Sequence, residues 1–301
     1  MTTGGNARTA TDRQTTASGL QVVPVSVARP GPAQDYRAVK VVLQRELIRF
    51  GQDRTRILSA LVQPVLFLFV LGTGLSSLTE GSTGGVDLRT FMFPGIVATS
   101  TLFTAMFSAV SIVWDREFGF LREMLVAPVR RSSIMVGKAL GGAAVATLQA
   151  CLVMVFAPLV DVSLSPLLVA QLIPLVFLLA FTLTSFGLVI AARIQQMQTV
   201  MSIMQMLLLP MSFLSGALYP ISNLPQWLAV LIRVNPITYA VSAVRTAVFD
   251  GIDAPERARE VLNPPVTWWG WAVPFWLEIV IVALLGAAFL VVAVRQFEKA
   301  E

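Results

Sequence analysis

The chain has 301 residues, 55% of them hydrophobic and only 13% charged, with a net charge of +5 and no histidine. Soluble domains carry about 25% charged residues, so this chain cannot cover a water-facing surface and its apolar side chains must face lipid. Without histidine the commonest general base and metal ligand are gone, and the single Cys151 excludes an internal disulfide or a cysteine metal cluster.

Residues 1–33 are rich in Thr, Ala, Gly, Gln and Pro and hold no apolar run of signal-peptide length, so they read as a disordered cytoplasmic tail. From 34 to 50, Val39, Val42, Leu43, Leu47 and Phe50 recur at helical spacing among Arg37, Lys40, Arg45 and Arg49. Such a basic amphipathic helix lies along a membrane surface or packs on a partner. Six apolar stretches near the ~20 residues that cross a bilayer follow, at about 57–76, 91–114, 139–160, 167–191, 200–219 and 272–294. The runs around 224–233 and 237–249 are too brief to span and read as external or re-entrant helices. The expected fold is therefore an all-α integral membrane domain over 34–301. It has six transmembrane helices, an N-terminal interfacial helix and short external re-entrant helices before the last span.

Seventeen of the 22 Lys and Arg fall on the segments that this topology places inside, and five on those outside. The positive-inside rule then puts both termini in the cytoplasm of a multi-pass cell-membrane protein. Trp227, Trp268, Trp269, Trp271 and Trp276 gather on the proposed outer side, as interfacial tryptophans do. The basic balance is accounted for by the membrane and needs no nucleic acid.

No GxxxxGK[ST] phosphate loop is present; around Gly137-Lys138, Ser132 and Ala139 stand where Gly and Ser or Thr are required. With no nucleophile–base pair either, catalysis by this chain alone is not expected, nor is a metal or cofactor bound by it. The segment after the second span, from Trp114 to Leu140, is the most informative. Phe118, Leu121 and Leu125 fall on one helical face, and Asp115, Arg116, Glu117, Arg122 and Glu123 supply charges of both signs before Pro128 stops the helix. A helix of this kind suits a groove on another protein, the alternative being a helix resting on lipid headgroups.

The string DREFGFLREMLVAPVRRSSIMVGKAL at 115–140 resembles the loop of type-2 ABC exporter permeases, the group that includes daunorubicin-resistance and Nod-factor export permeases. A second resemblance to the same group lies in LPMSFLSGALYPISNLPQWLAVLIRVNPITYAVSAVR at 209–245. The resemblance covers about residues 35–300. It implies a permease half that dimerises with a second copy or a paralogue and binds a separate ABC ATPase subunit, on which ATP and Mg would sit. The 34–50 helix would be the connecting helix and 115–126 the coupling helix to the ATPase. Tyr219, Pro220, Pro225, Asn235, Pro236 and Tyr239 would belong to an external cap over 220–270.

Candidate linings of the substrate path are Thr101, Phe103, Thr104 and Ser108 in the second span and Met197, Met201, Met204, Met211 and Phe213 in the fifth. Methionine lines adaptable apolar surfaces, although ordinary packing explains these residues as well. Glu278 sits about 9 Å into the last span and could meet the external cap, a wet vestibule or a proton path. The expected function is ATP-driven export of an amphipathic or hydrophobic drug, antibiotic or lipid-linked molecule. The alternative is a proton-coupled secondary transporter without an ATPase, for which Glu278 is thin support.

Overall fold

The computed structural model describes residues 31–74, 88–126, 129–160, 162–219, 221, 224–251, 262–268 and 271–300. The tail expected over 1–33, all but its last three residues, and the cap residue Pro220 lie outside them, as do the side chains of Arg122 and Leu125. The described chain is all but entirely helical, with one two-residue antiparallel ladder pairing Thr267 with Ala272 and Trp268 with Trp271.

Helix α1 (Pro32–Gln52) is the expected interfacial helix, and Asp53 ends it. The Asp53 carboxylate accepts from the Arg56 amide at 2.9 Å and so starts α2 (Arg54–Leu66), which continues as a π-turn over Phe67–Leu71. Pro64 lies inside α2, where its missing N–H disturbs the regular ladder. The second span is α3 (Leu88–Ala109) followed by α4 (Ser111–Glu117), and a short α5 (Phe120–Val126) comes next. Then come α6 (Arg131–Met154), α7 (Pro166–Ala191), α8 (Met197–Phe213), α9 (Gln226–Val234), α10 (Pro236–Asp250) and α11 (Phe275–Ala300).

Among the described residues, five helices are long and apolar enough to cross a membrane: Arg54–Gly74, Arg89–Glu117, Arg131–Met154, Pro166–Ala191 and Phe275–Lys299. The fifth expected span, 200–219, is shorter than its hydropathy implied. As a helix it occupies Met197–Phe213, about 25 Å of rise, because the chain turns after Leu214 and Gly216 adopts φ +68°. Helices α9 and α10 are bent by 85° at Asn235–Pro236, which fits the expected re-entrant pair; taken as one broken span they would make a sixth crossing.

The centre is α3, α6 and α7. The window of Arg89–Glu117 is 89% buried, against 17% for Arg54–Gly74 and 22% for the last span, so α2 and α11 form the lipid-facing or partner-facing flanks. Small residues set the spacing. A Cβ on Gly137 would lie 2.8 Å from the Val42 side chain and one on Gly141 3.0 Å from Glu46, so α1 rests directly on the α6 backbone through Val42 and Glu46. Gly95 of α3 meets the Ala217 carbonyl so closely that a methyl group there would overlap backbone.

One end of the bundle collects α1, the α4–α6 connection, the 192–197 turn and the carboxyl-terminal turn of α11. Asp35 pairs with Arg130 at 3.3 Å, and Arg131 Nη1 donates to the Glu298 carbonyl at 3.3 Å. Trp268, Tyr239 and the α9–α10 bend occupy the opposite end.

Gly95→Ala should destabilise the protein by about 1–3 kcal/mol or more, because only backbone movement relieves the overlap. Gly51→Ala, where an added methyl meets nothing within 4 Å, should leave the unfolding midpoint unchanged or slightly raised. Thermal unfolding of the two variants in lipid nanodiscs checks both.

Candidate functional site

Two features stand out at the end that carries α1: a buried ion cluster and, beside it, a set of exposed aromatic residues. The cluster forms where three elements meet. Glu46 lies on the buried stripe Val42–Glu46–Phe50 of α1, Asp115 is in the last turn of α4, and Lys138 is two turns into α6. Lys138 Nζ stands 2.6 Å from Glu46 Oε1 and 2.5 Å from Asp115 Oδ2, and it donates to Ser111 Oγ at 3.0 Å. The other Asp115 oxygen accepts from Arg45 Nη2 at 2.9 Å. Lys138 and Asp115 are almost wholly buried and Glu46 nearly so. Two cations balance two carboxylates, the condition under which such charges survive removal from water.

The neighbouring loop departs from the single amphipathic helix expected over 115–126. Gly119 takes φ +81°, a left-handed conformation that ends α4 at Glu117 and restarts the chain as α5 at Phe120. The break changes the phase of the side chains. Leu121, expected on the docking face, is only 2% exposed and packs into the core of the helix bundle, whereas Phe118 is 61% and Phe120 48% exposed. Asp115 also turns inward, to Lys138 and Arg45. Of the other expected docking residues, Arg116 donates to the carbonyls of Ile194 at 2.7 Å and Ala192 at 3.2 Å, closing the end of α7. Glu117 Oε2 accepts from the Met197 amide at 3.2 Å and caps α8. Glu123 is exposed.

The exposed aromatics are held from α1. Arg49 lies over the Trp114 ring at 5.1 Å, Arg45 over the Phe120 ring at 5.5 Å, and the Trp114 and Phe118 rings are 5.2 Å apart.

Above the cluster a half-open cavity of about 460 Å³ separates α2 from α3 and α8. Of the expected path residues, Phe103, Thr104 and Met201 line it. The others are placed elsewhere. Thr101 and Met204 are wholly buried, Thr101 donating to the Val97 carbonyl, and Ser108 packs beside Gly142 and Thr184. Met197 and Met211 pack against the core, and Phe213 is 55% exposed.

At the opposite end, three of the six expected cap residues, Asn235, Pro236 and Tyr239, share one hydrogen-bonded corner. Asn235 Nδ2 donates to the Met211 carbonyl at 2.8 Å while its Oδ1 accepts from Ile237 N, so Asn235 and Pro236 together start α10. Tyr239 donates to the Arg233 carbonyl at 2.7 Å and accepts from Trp268 Nε1 at 2.9 Å. Pro225 precedes α9, and Tyr219 is half-buried, its phenol pushed up from its ordinary pKa by burial. Two buried ionic residues complete this half. Glu278 bonds to Ser242, and Arg245 donates to the Gly216 carbonyl at 2.6 Å while lying 4.5 Å over the Phe91 ring.

The family model for ABC-2 type transporters matches residues 37–249, which contain the ion cluster, the broken loop helix and the α9–α10 bend. The chain belongs to the ABC-2 type transporter family. It is a multi-pass membrane component of a transport system. Relatives are similar over most of their length. The transport permease ycf38 of Cyanophora paradoxa is 28% identical over 68% of this chain and 72% of its own. Nodulation protein J of Rhizobium leguminosarum bv. trifolii is 29% identical over 63% and 72%. A protein of Mycobacterium tuberculosis named as the doxorubicin resistance ABC transporter permease DrrC is 26% identical over 77% and 84%.

Sequence reasoning missed the partnership of Glu46 and Lys138 in this ABC-2 domain. The available signal was a carboxylate inside the apolar stripe Val42–Phe50, which calls for a buried cation. Lys138→Met should cost about 3–5 kcal/mol, because it leaves two carboxylates facing each other in the interior. Glu46→Leu combined with Lys138→Met should recover a large part of that loss, since Asp115 keeps Arg45. A double-mutant cycle of unfolding free energies measures the coupling, and simple additivity would contradict the cluster.

Proposed function

We propose that this chain is the membrane-spanning half of an ATP-driven exporter working with a separate ABC ATPase subunit. Its cargo is an amphipathic or hydrophobic molecule such as a drug, an antibiotic or a lipid-linked compound. A second copy or a paralogue completes the transporter, both termini face the cytoplasm of the cell membrane, and ATP with Mg binds only the ATPase. The names of the relatives support this reading, one for doxorubicin resistance and another for nodulation.

The observation that carries it is the exposed pair Phe118 and Phe120 on a rigid mount. Two aromatic rings at the end of a membrane protein are exposed at a cost in water, and they suit an apolar groove on a partner. The mount is stiff because α4 is tied to α1 and α6 through Asp115 and Lys138. Its neighbours Arg116 and Glu117 are bonded to the ends of α7 and α8. A push on the Phe118–Phe120 corner is therefore delivered to four membrane helices at once. Closure of the ATPase dimer would tilt the permease halves and shift the balance between inward-open and outward-open states. The cavity lined by Phe103, Thr104 and Met201 would receive the cargo, and the Asn235–Tyr239–Trp268 corner would cap the outer exit.

Phe118→Asp and Phe120→Asp should each lower the amount of ATPase that co-purifies about tenfold or more, as loss of a buried aromatic anchor does. Both permease variants should still insert and remain monodisperse. Leu284→Ala, on the exposed side of α11 away from the Phe118–Phe120 corner, should not change co-purification. Undiminished ATPase with both Phe variants would contradict the docking role. Leu121→Asp is the wrong probe, because its side chain lies in the permease core.

A further inference from the structure

The cavity of about 460 Å³ has a chemical gradient along its length, and that gradient identifies a class of cargo. At one end it is bounded by Arg49, Asp53 and Arg56, from the junction of α1 and α2, together with Trp114. At the other it is bounded by Ile96, Phe67 and Phe103. From Arg56 to Phe67 the helix climbs about 16 Å, so charge and hydrocarbon are separated by roughly the length of an extended ten-carbon chain together with its phosphate head. Of the hydroxyls that line it, Thr99, Ser100 and Ser59 donate to the carbonyls of Gly95, Val97 and Arg56.

The charged end carries an excess of cation. The Arg49 guanidinium is stacked on the Trp114 ring, and neither it nor Arg56 is within ion-pair distance of a carboxylate among the described residues. Asp53, the one acid there, has an oxygen engaged by the Arg56 amide. Two guanidiniums at a membrane interface, one fixed in orientation by an aromatic face, form a receptor for an oxyanion, which each can bind through two parallel hydrogen bonds. A cationic amphiphile would be repelled from the same end. The volume is within the range of small-molecule sites.

We infer that this cavity binds an amphipathic anion, with a phosphate or carboxylate head on Arg49 and Arg56 and an apolar tail beside Phe67 and Phe103. The inference rests on the exporter reading and narrows its cargo to this class. An inner-leaflet phospholipid and a transported amphiphile share the chemistry.

The test uses the full chain in phosphatidylcholine nanodiscs without any ATPase, so that its result is independent of docking. Radiolabelled decyl phosphate is titrated against protein-containing and empty discs. Saturable binding to the protein is expected, competed by unlabelled decyl phosphate but not by decyltrimethylammonium. Arg49→Gln and Arg56→Gln should each weaken it about tenfold, as loss of a charge-assisted contact does, with Arg54→Gln, outside the cavity, unchanged. Phe103→Ala should shrink the preference for decyl over hexyl phosphate, a readout that needs neither arginine variant to fold well. Displacement by phosphatidylglycerol in the disc would identify a lipid occupant, and resistance to it a transported amphiphile, both anionic. Absence of saturable binding, equal competition by decyltrimethylammonium, or full affinity in both arginine variants would overturn the assignment.

Discussion

An ammonium group buried between two carboxylates governs the end of this domain that carries α1. Lys138 Nζ lies 2.6 Å from Glu46 and 2.5 Å from Asp115, and charges taken out of water are retained only with such partners. These three side chains come from an interfacial helix, the end of the second span and the start of the third. Satisfying them fixes the mutual position of α1, α4 and α6. The glycines at 137 and 141 make this possible by letting the α1 side chains reach the α6 backbone. Breaking such a cluster is costly, and that stiffness is what a force-transmitting joint needs.

The exposed aromatic corner follows from the same constraint. With Asp115 turned inward, the chain must leave α4 in a direction that a continuous helix could not follow, and Gly119 supplies the left-handed residue at that point. Leu121 is then drawn into the core while Phe118 and Phe120 are left outside. The arginines of α1 complete the arrangement twice over. Arg45 bonds Asp115 and covers Phe120, and Arg49 covers Trp114 and turns a positive edge to the cavity. The exposed aromatic corner and the cavity thus share one helix.

Much of the fold was legible because lipid imposes simple rules. Long apolar runs gave the spans, and the Val42–Phe50 stripe gave α1. Asn235-Pro236 gave the start of α10, since an Asn cap followed by Pro fits a helix N-terminus. The losses arose where a single residue overrode periodicity. Gly119 broke a helix whose apolar spacing looked continuous, so Phe118 and Leu121, assigned to one face, point apart. Hydropathy carried the fifth span past Leu214 because the turn residues after it are themselves apolar. Of the residues named for a path, Phe103, Thr104 and Met201 line one cavity, while Thr101 and Met204 share their periodicity but face the core. Pairing of distant charges is invisible to local pattern, so Glu46 and Lys138 were each counted without being joined.

In the proposed exporter, α1 and the central helices form one rigid unit through which ATPase motion reaches the cavity. Its most direct test is a distance between spin labels at Lys40 in α1 and Leu148 in α6, in a Cys151→Ala background, with labelled chain diluted by unlabelled chain and the ATPase bound. Pulsed electron–electron resonance should return one narrow distribution that is the same without nucleotide and with trapped ATP, and a broadened one in Lys138→Met. A distance that shifts between the nucleotide states while Lys138 is intact would contradict the rigid joint on which the coupling depends.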